Sequence, residues 1–343
     1  METLIKNVNI ITPYEVLRGH GLVIKDGIIS SVEMEEKLSK KYFDNVIDGK
    51  NNFLSPGFID IHNHGNSGYD VMDCTEEAID NMAEFHVKNG VTSFLGTVIT
   101  SSNTQIEKAI RNLVSYKSKV DKANLIGIHL EGPFFSLEKK GAQPEKHIII
   151  PNLEYMEKLI GISNGKIKMV SIAPELKGAL PIISYLKSNN VVVAMAHSNA
   201  TYEEAKKGIS VATHLFNGMR SFSHREPGIV GAALTDERVY CELIYDTIHL
   251  HDISVEIAMK MKGIEKIVLV SDAMRATGIK DGEYELGGQR VFVRKGVAKL
   301  ENGTLAGSTL NLRKAVHNMV SRMNLPNHNA VSMASINPAK AIN

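Results

Sequence analysis

Between Gly57 and Asp272 the chain repeats one pattern eight times: a short apolar run, then a longer stretch with apolar residues at helical spacing. The runs are Gly57–His64, Thr92–Ile99, Asn124–Glu131, Lys166–Ala173, Val191–His197, Ser210–Phe216, Tyr240–Asp246 and Lys266–Asp272. Short apolar runs bounded by turn residues read as buried strands, and the stretches between them as amphipathic helices. Ile79, Met82, Ala83 and Val87 mark the first helix, which Asn89-Gly90 can end in left-handed geometry, and Ile106, Ile110, Leu113 and Val114 mark the second. Eight such units over roughly 250 residues are what an α/β protein of the (β/α)₈ TIM-barrel type requires. An open doubly wound sheet is the other arrangement the alternation allows.

The flanks differ. Residues 3–33 alternate as β structure, with Asp26-Gly27 as the hairpin turn between Leu22-Val23-Ile24 and Ile28-Ile29. We therefore expect a small β unit over 1–52 and the barrel over 53–343. An insertion at about 275–308 carries hairpin material at Val291-Phe292-Val293 and Gly296-Val297-Ala298, and helical stretches follow at about 309–323 and 328–340. The 343 residues, 43% hydrophobic and 22% charged, suffice for a large core and exclude a disordered chain. Thirty-nine basic against 38 acidic side chains exclude a general nucleic-acid binder. No apolar run is long enough to cross a bilayer, and no secretory segment is visible at the start. Two cysteines, Cys74 and Cys241, without a CxxC spacing point to a reducing cytoplasm.

The polar residues at the ends of these runs suggest chemistry. His62 and His64 lie two apart and so share one side of a strand. Glu131, His197, His214 and Asp272 fall at or near the ends of the third, fifth, sixth and eighth runs. Barrel enzymes build their sites at the carboxyl ends of the strands, so all six side chains can meet at one mouth. Imidazole and carboxylate together suit Zn²⁺ or a similar divalent ion, and an aspartate beside activated water can take its proton. A lone strand histidine is more often a packed core residue, but that account does not explain six groups in register. His129 and Asp60 lie one step deeper and read as supports, while His20, His86, His317 and His328 read as surface or packing residues.

Pro56-Gly57-Phe58-Ile59-Asp60-Ile61-His62-Asn63-His64-Gly65 resembles the opening motif of the amidohydrolase superfamily. Further runs narrow the resemblance to its deacetylases of N-acetylglucosamine 6-phosphate. They are His129-Leu130-Glu131-Gly132-Pro133-Phe134, Ala196-His197-Ser198-Asn199-Ala200, Thr213-His214-Leu215-Phe216-Asn217-Gly218-Met219, Arg225-Glu226-Pro227-Gly228 and Thr304-Leu305-Ala306-Gly307-Ser308. The resemblance implies that Glu131, His197 and His214 hold a principal metal, that His62 and His64 add a second, and that Asp272 is general base and then acid. It implies one or two divalent ions, zinc first, with iron, cobalt or manganese also suited. His249 would assist at the carbonyl. Ala142, Gln143, Asn217, Gly218, Arg225, Leu305, Ala306 and Gly307 would bind the sugar phosphate, with Arg225 reaching across a homodimer. The implied activity is acetate removal in amino-sugar catabolism or cell-wall recycling, with no nucleic-acid or membrane partner. Other amidohydrolases, such as cyclic-amide hydrolases or base deaminases, give no reason for Arg225, and a silent barrel would usually have lost one of the six groups.

Two departures stand out. Gln143 replaces the histidine common in this family; it can still hydrogen-bond sugar hydroxyls but carries no charge. Relatives also continue beyond the end of this chain with strands that complete a small sandwich on the N-terminal segment, so an unpaired sheet edge is expected there.

Overall fold

The computed structural model describes residues 1–342; Asn343, the last residue of the expected barrel segment, lies outside the described residues. Four strands, β1 (Glu2–Ile11), β2 (Val16–Lys25), β3 (Ile28–Met34) and β4 (Asn45–Leu54), form one sheet in the order β3-β2-β1-β4. The β2–β3 turn is the predicted one: Asp26 and Gly27 have φ of 51° and 82°, the positive values that a two-residue type I′ turn demands. β4 pairs with β1 on one side and forms the sheet's edge on the other. Val46, Ile47 and Phe53 along it are more than half exposed.

The eight parallel strands follow the predicted order, interrupted once by a small hairpin. They are β5 (Phe58–Asp60), then after the hairpin strands β6 (Gly65–Asn66) and β7 (Tyr69–Asp70), β8 (Val91–Ile99), β9 (Asn124–Glu131), β10 (Ile167–Ile172), β11 (Val192–Met195), β12 (Val211–Ala212), β13 (Tyr240–Leu243) and β14 (Ile267–Leu269). Each barrel strand pairs in parallel with the next. The pattern therefore resolves to the barrel and not to the doubly wound sheet.

The seam between β5 and β14 is closed from both ends. Met333 O and Ala334 O, in the C-terminal helical segment, accept Leu269 N–H and Ile59 N–H, each at 2.8 Å. Nearer the mouth, Asp272 N–H donates to His62 O at 2.9 Å and Asn63 bridges Ala273.

The helix Glu76–Lys88 shows why the sequence periodicity works. Thr75 caps its first turn by accepting Ala78 N–H. Ala78, Ile79, Met82, Ala83 and His86 form its buried face, and each large apolar side chain among them contributes about 1.5–3 kcal/mol on burial. Val87, expected inside, is 36% exposed, and His86 takes the inward position instead. After β14, Gly282–Leu286 (β15), Gln289–Arg294 (β16) and Val297–Leu300 (β17) make an antiparallel sheet over the mouth-side loops. Leu312–Met323, Asn327–Ser332 and Ile336–Ala341 are the closing helices. Among the described residues no helix is long and apolar enough to cross a membrane.

Candidate metal centre

Several of the barrel strands are shorter than their apolar runs, and most of the polar residues fall just beyond them. β5 stops at Asp60, two residues before His62, and β14 stops at Leu269, three before Asp272. Leaving the ladder frees the backbone to turn side chains into the mouth. His197, His214 and Asp272 accordingly have φ of 45°, 34° and 46°. These left-handed conformations are unfavourable for residues with a Cβ and gather where structure serves function.

The six residues converge. His62, His64 and Asp272 form one group and Glu131, His197 and His214 another; within each, the candidate ligand atoms lie within 4.8 Å of one another. Glu131 joins the groups. Its Oε1 lies 3.3 Å from the Nε2 atoms of both His197 and His214 and 3.6 Å from that of His62, while Oε2 lies 3.3 Å from His64 Nε2. Asp272 Oδ1 lies 3.5 Å from His62 Nε2 and 3.3 Å from His64 Nε2. All six are buried.

Charge dominates this mouth. Burial would push the Asp272 and Glu131 carboxyls up, but the surrounding imidazoles outweigh it: Asp272 is held down at about 2, and Glu131 lies well below the ordinary range. Conversely, burial would lower His62, yet Asp272, Glu131 and Glu242 raise it to about 9. A set of imidazoles and carboxylates turned on one another in a buried space fits a divalent cation. His62 Nε2 fits it further, being buried with no hydrogen-bond partner among the described residues.

Beneath this layer the barrel interior is polar. Asp60 accepts from Ser271 Oγ at 2.6 Å and from Ser271 N–H at 3.3 Å, and burial raises its carboxyl to about 6. His129 meets Ser171 Oγ at 2.8 Å, and that hydroxyl meets Thr213 Oγ1 at 3.0 Å. His86 Nε2 lies 3.1 Å from Asn63 Oδ1; because Asn63 spends its amide on Leu95 O, the ring must be the donor. His317 is exposed, and His20 and His328 are partly so.

A cavity of about 240 Å³ opens above the centre. His249, Ala142, Gln143, Asn217, Gly218, Leu305 and Gly307 line it with His64, Glu131, His197, His214 and Asp272. Asp246 holds His249 by accepting from Nδ1 at 2.7 Å. Gln143 is turned inward: its Nε2 donates to Glu131 Oε2 at 2.7 Å and its Oε1 accepts Thr100 N–H at 3.2 Å. Two expected binding residues are elsewhere. Ala306 is fully buried against Met274 and the β15–β17 sheet. Arg225 is exposed and outside the cavity lining of this single chain.

Sequence reasoning missed Glu242. It sits in β13 with no exposed surface, its Oε2 lying 3.0 Å from His62 Nδ1. A charged residue inside the apolar run Val239-Tyr240-Cys241-Glu242-Leu243-Ile244 was the available clue.

Comparison with known proteins agrees with this geometry. Residues 53–343 match the model of the amidohydrolase family. N-acetylglucosamine-6-phosphate deacetylase of Lysinibacillus sphaericus is 38% identical over 100% of this chain and 89% of that protein. N-acetylgalactosamine-6-phosphate deacetylase of Escherichia coli O157:H7 is 36% identical over 95% of this chain and 86% of that protein. The crystal structure of N-acetylglucosamine-6-phosphate deacetylase from Pasteurella multocida superposes with a TM-score of 0.93 at 32% identity, covering 100% of this chain and 90% of that one. The chain belongs to the amidohydrolase family and, within it, groups with the N-acetylglucosamine-6-phosphate deacetylases.

Proposed function

We propose that this enzyme hydrolyses the acetamide of N-acetyl-D-glucosamine 6-phosphate to D-glucosamine 6-phosphate and acetate, a step of amino-sugar catabolism and cell-wall recycling. The observation that carries this reading is the paired buried group sharing Glu131, open to a cavity that also presents His249, Asn217 and Gly218.

Glu131, His197 and His214 would hold one divalent ion, and His62 and His64, with Asp272 beside them, a second. Zinc is the first candidate, and iron, cobalt and manganese suit the same nitrogen and oxygen donors. Such an ion makes a water molecule more acidic and draws electron density from a carbonyl oxygen.

The chain's own residues do the rest. Asp272, as a carboxylate, accepts the proton of the attacking water at an oxygen. It then returns that proton to the amine nitrogen as the C–N bond breaks. His249 is held at Nδ1 by Asp246 and lines the cavity, which leaves its Nε2 edge for the carbonyl oxygen of the substrate. The Asn217-Gly218 segment offers an amide and backbone N–H groups to the sugar phosphate, and Arg225 of a second copy would supply a bidentate fork for its phosphate. We therefore read the enzyme as a homodimer. Free Cys74 and Cys241 support placing it in the cytoplasm.

Acetate release from the phosphorylated sugar, with unphosphorylated N-acetylglucosamine alongside, tests the proposal. Release from the phosphorylated sugar alone is expected; equal rates on both would remove the phosphate contact. No release from metal-loaded protein would overturn the reading. The similarity to the Escherichia coli protein favours one second reading, the galactosamine epimer, and the same assay on that sugar phosphate decides between them.

A further inference from the structure

We propose that Glu242 is a positioning residue that fixes the His62 imidazole for the second cation of the centre. The inference rests on the reading of the mouth as a metal centre and deepens it.

Glu242 Oε2 lies 3.0 Å from His62 Nδ1 and accepts the backbone N–H of His214 at 3.2 Å. A carboxylate at Nδ1 fixes the tautomer: the proton sits on Nδ1, and the lone pair of Nε2 faces the space between Glu131 and Asp272. The other three imidazoles lack this. His197 Nδ1 has the main-chain oxygen of Lys139, and the Nδ1 atoms of His64 and His214 have no partner among the described residues. Glu242 Oε1 has none either. A fully buried carboxylate with one oxygen unpaired is costly unless positive charge lies close by.

Among the described residues no lysine or arginine lines the cavity. Three carboxylates, Glu131, Glu242 and Asp272, thus stand among imidazoles that must be neutral to bind metal, with Asp60 accepting the His62 backbone N–H at 3.4 Å, so the charge that offsets them has to come from cations.

The test is metal binding, read without turnover. Stripped wild-type protein, Glu242→Gln and Glu242→Leu are titrated with Co²⁺, following the visible spectrum and the ions retained per chain; circular dichroism and melting establish folding. Wild type is expected to hold two ions. Glu242→Gln, which keeps the shape and an oxygen for the His214 N–H but loses the charge, should weaken one of them about 10-fold with the other unchanged, and Glu242→Leu should weaken the same ion about 100-fold. If the leucine variant does not fold, the glutamine variant carries the comparison. In a His62→Ala background, Glu242→Gln should have no further effect on the remaining ion. Equal weakening of both ions, an unchanged titration, or a further loss in the His62→Ala background would overturn the inference. One ion in wild type would overturn it too while leaving the hydrolase reading intact. A wild-type chain that holds no ion would overturn that reading as well.

Discussion

Gln143 is bound to Glu131: its amide donates 2.7 Å to Oε2 of the carboxylate that faces both ligand groups. The side chain expected to meet sugar hydroxyls thus also holds a candidate metal ligand in place. Gln143→Ala leaves Oε2 without its donor and frees the carboxylate to rotate. Retention of ions during dialysis against graded chelator should fall on the order of 10-fold, the usual cost of losing a partner of a ligand.

Asp272→Asn keeps an oxygen facing His62 and His64 but removes the carboxylate proposed as the base. Metal content should match wild type while turnover drops by roughly 10²–10⁴-fold, the span of general acid–base contributions. Metal analysis beside an acetate-release assay checks both halves; near-normal turnover with full metal would take the proton-transfer role away from Asp272.

Arg225→Ala and Asp272→Asn should complement each other if phosphate is held across a dimer. In a mixed dimer, the site with an intact Asp272 receives Arg225 from the other chain. Unfolding and refolding an equal mixture should restore about one quarter of wild-type activity, since half the dimers are mixed and each has one complete site. A mixture no better than the sum of its parts would place the arginine within its own subunit or away from the phosphate.

His86 sets an acid limit on stability. Burial pushes its pKa down to about 3, against 6.5 for the free side chain. The unfolded chain therefore binds the proton first, and this histidine's contribution is complete above pH 6.5 and is lost as pH falls toward 3. Asp60 and Asp70, each raised to about 6, act in the opposite sense: their contribution is present at low pH and fades as pH rises through 6. Comparing His86→Asn with wild type isolates the histidine. Between pH 6.5 and 4.5 wild type should lose up to about 1.4 kcal/mol per pH unit relative to the variant in urea unfolding. Parallel curves would mean that His86 is protonated inside the fold.

The order of the barrel was legible because each strand is a compact apolar run between turn residues, and that signal survives without knowledge of the partners. The strand ends were not. Whether Val270 or Ser271 still belongs to the ladder depends on where the neighbouring chain departs, and the apolar run does not record it. His62, Glu131 and Asp272 were visible because they break apolar runs at similar positions. Glu242 breaks one too, but earlier, and only the distance to His62 reveals what it does. Ala306 lay within a recognisable run, yet its side chain turns into the β15–β17 sheet. Arg225 shows the limit of one chain, since an exposed arginine has no visible task until a second surface meets it.

The seam of the barrel has a mechanical consequence. The first and last barrel strands lie more than 200 residues apart and meet through Asp60 and Ser271, His62 and Asp272, and Asn63 and Ala273. Those same loops carry the candidate ligands. A cation seated there would pull together the two ends of a cylinder that the backbone alone leaves lightly stitched, acting as a clasp on a band. Loading the centre and locking the barrel then become one event, and loss of the ion would be felt first along this join.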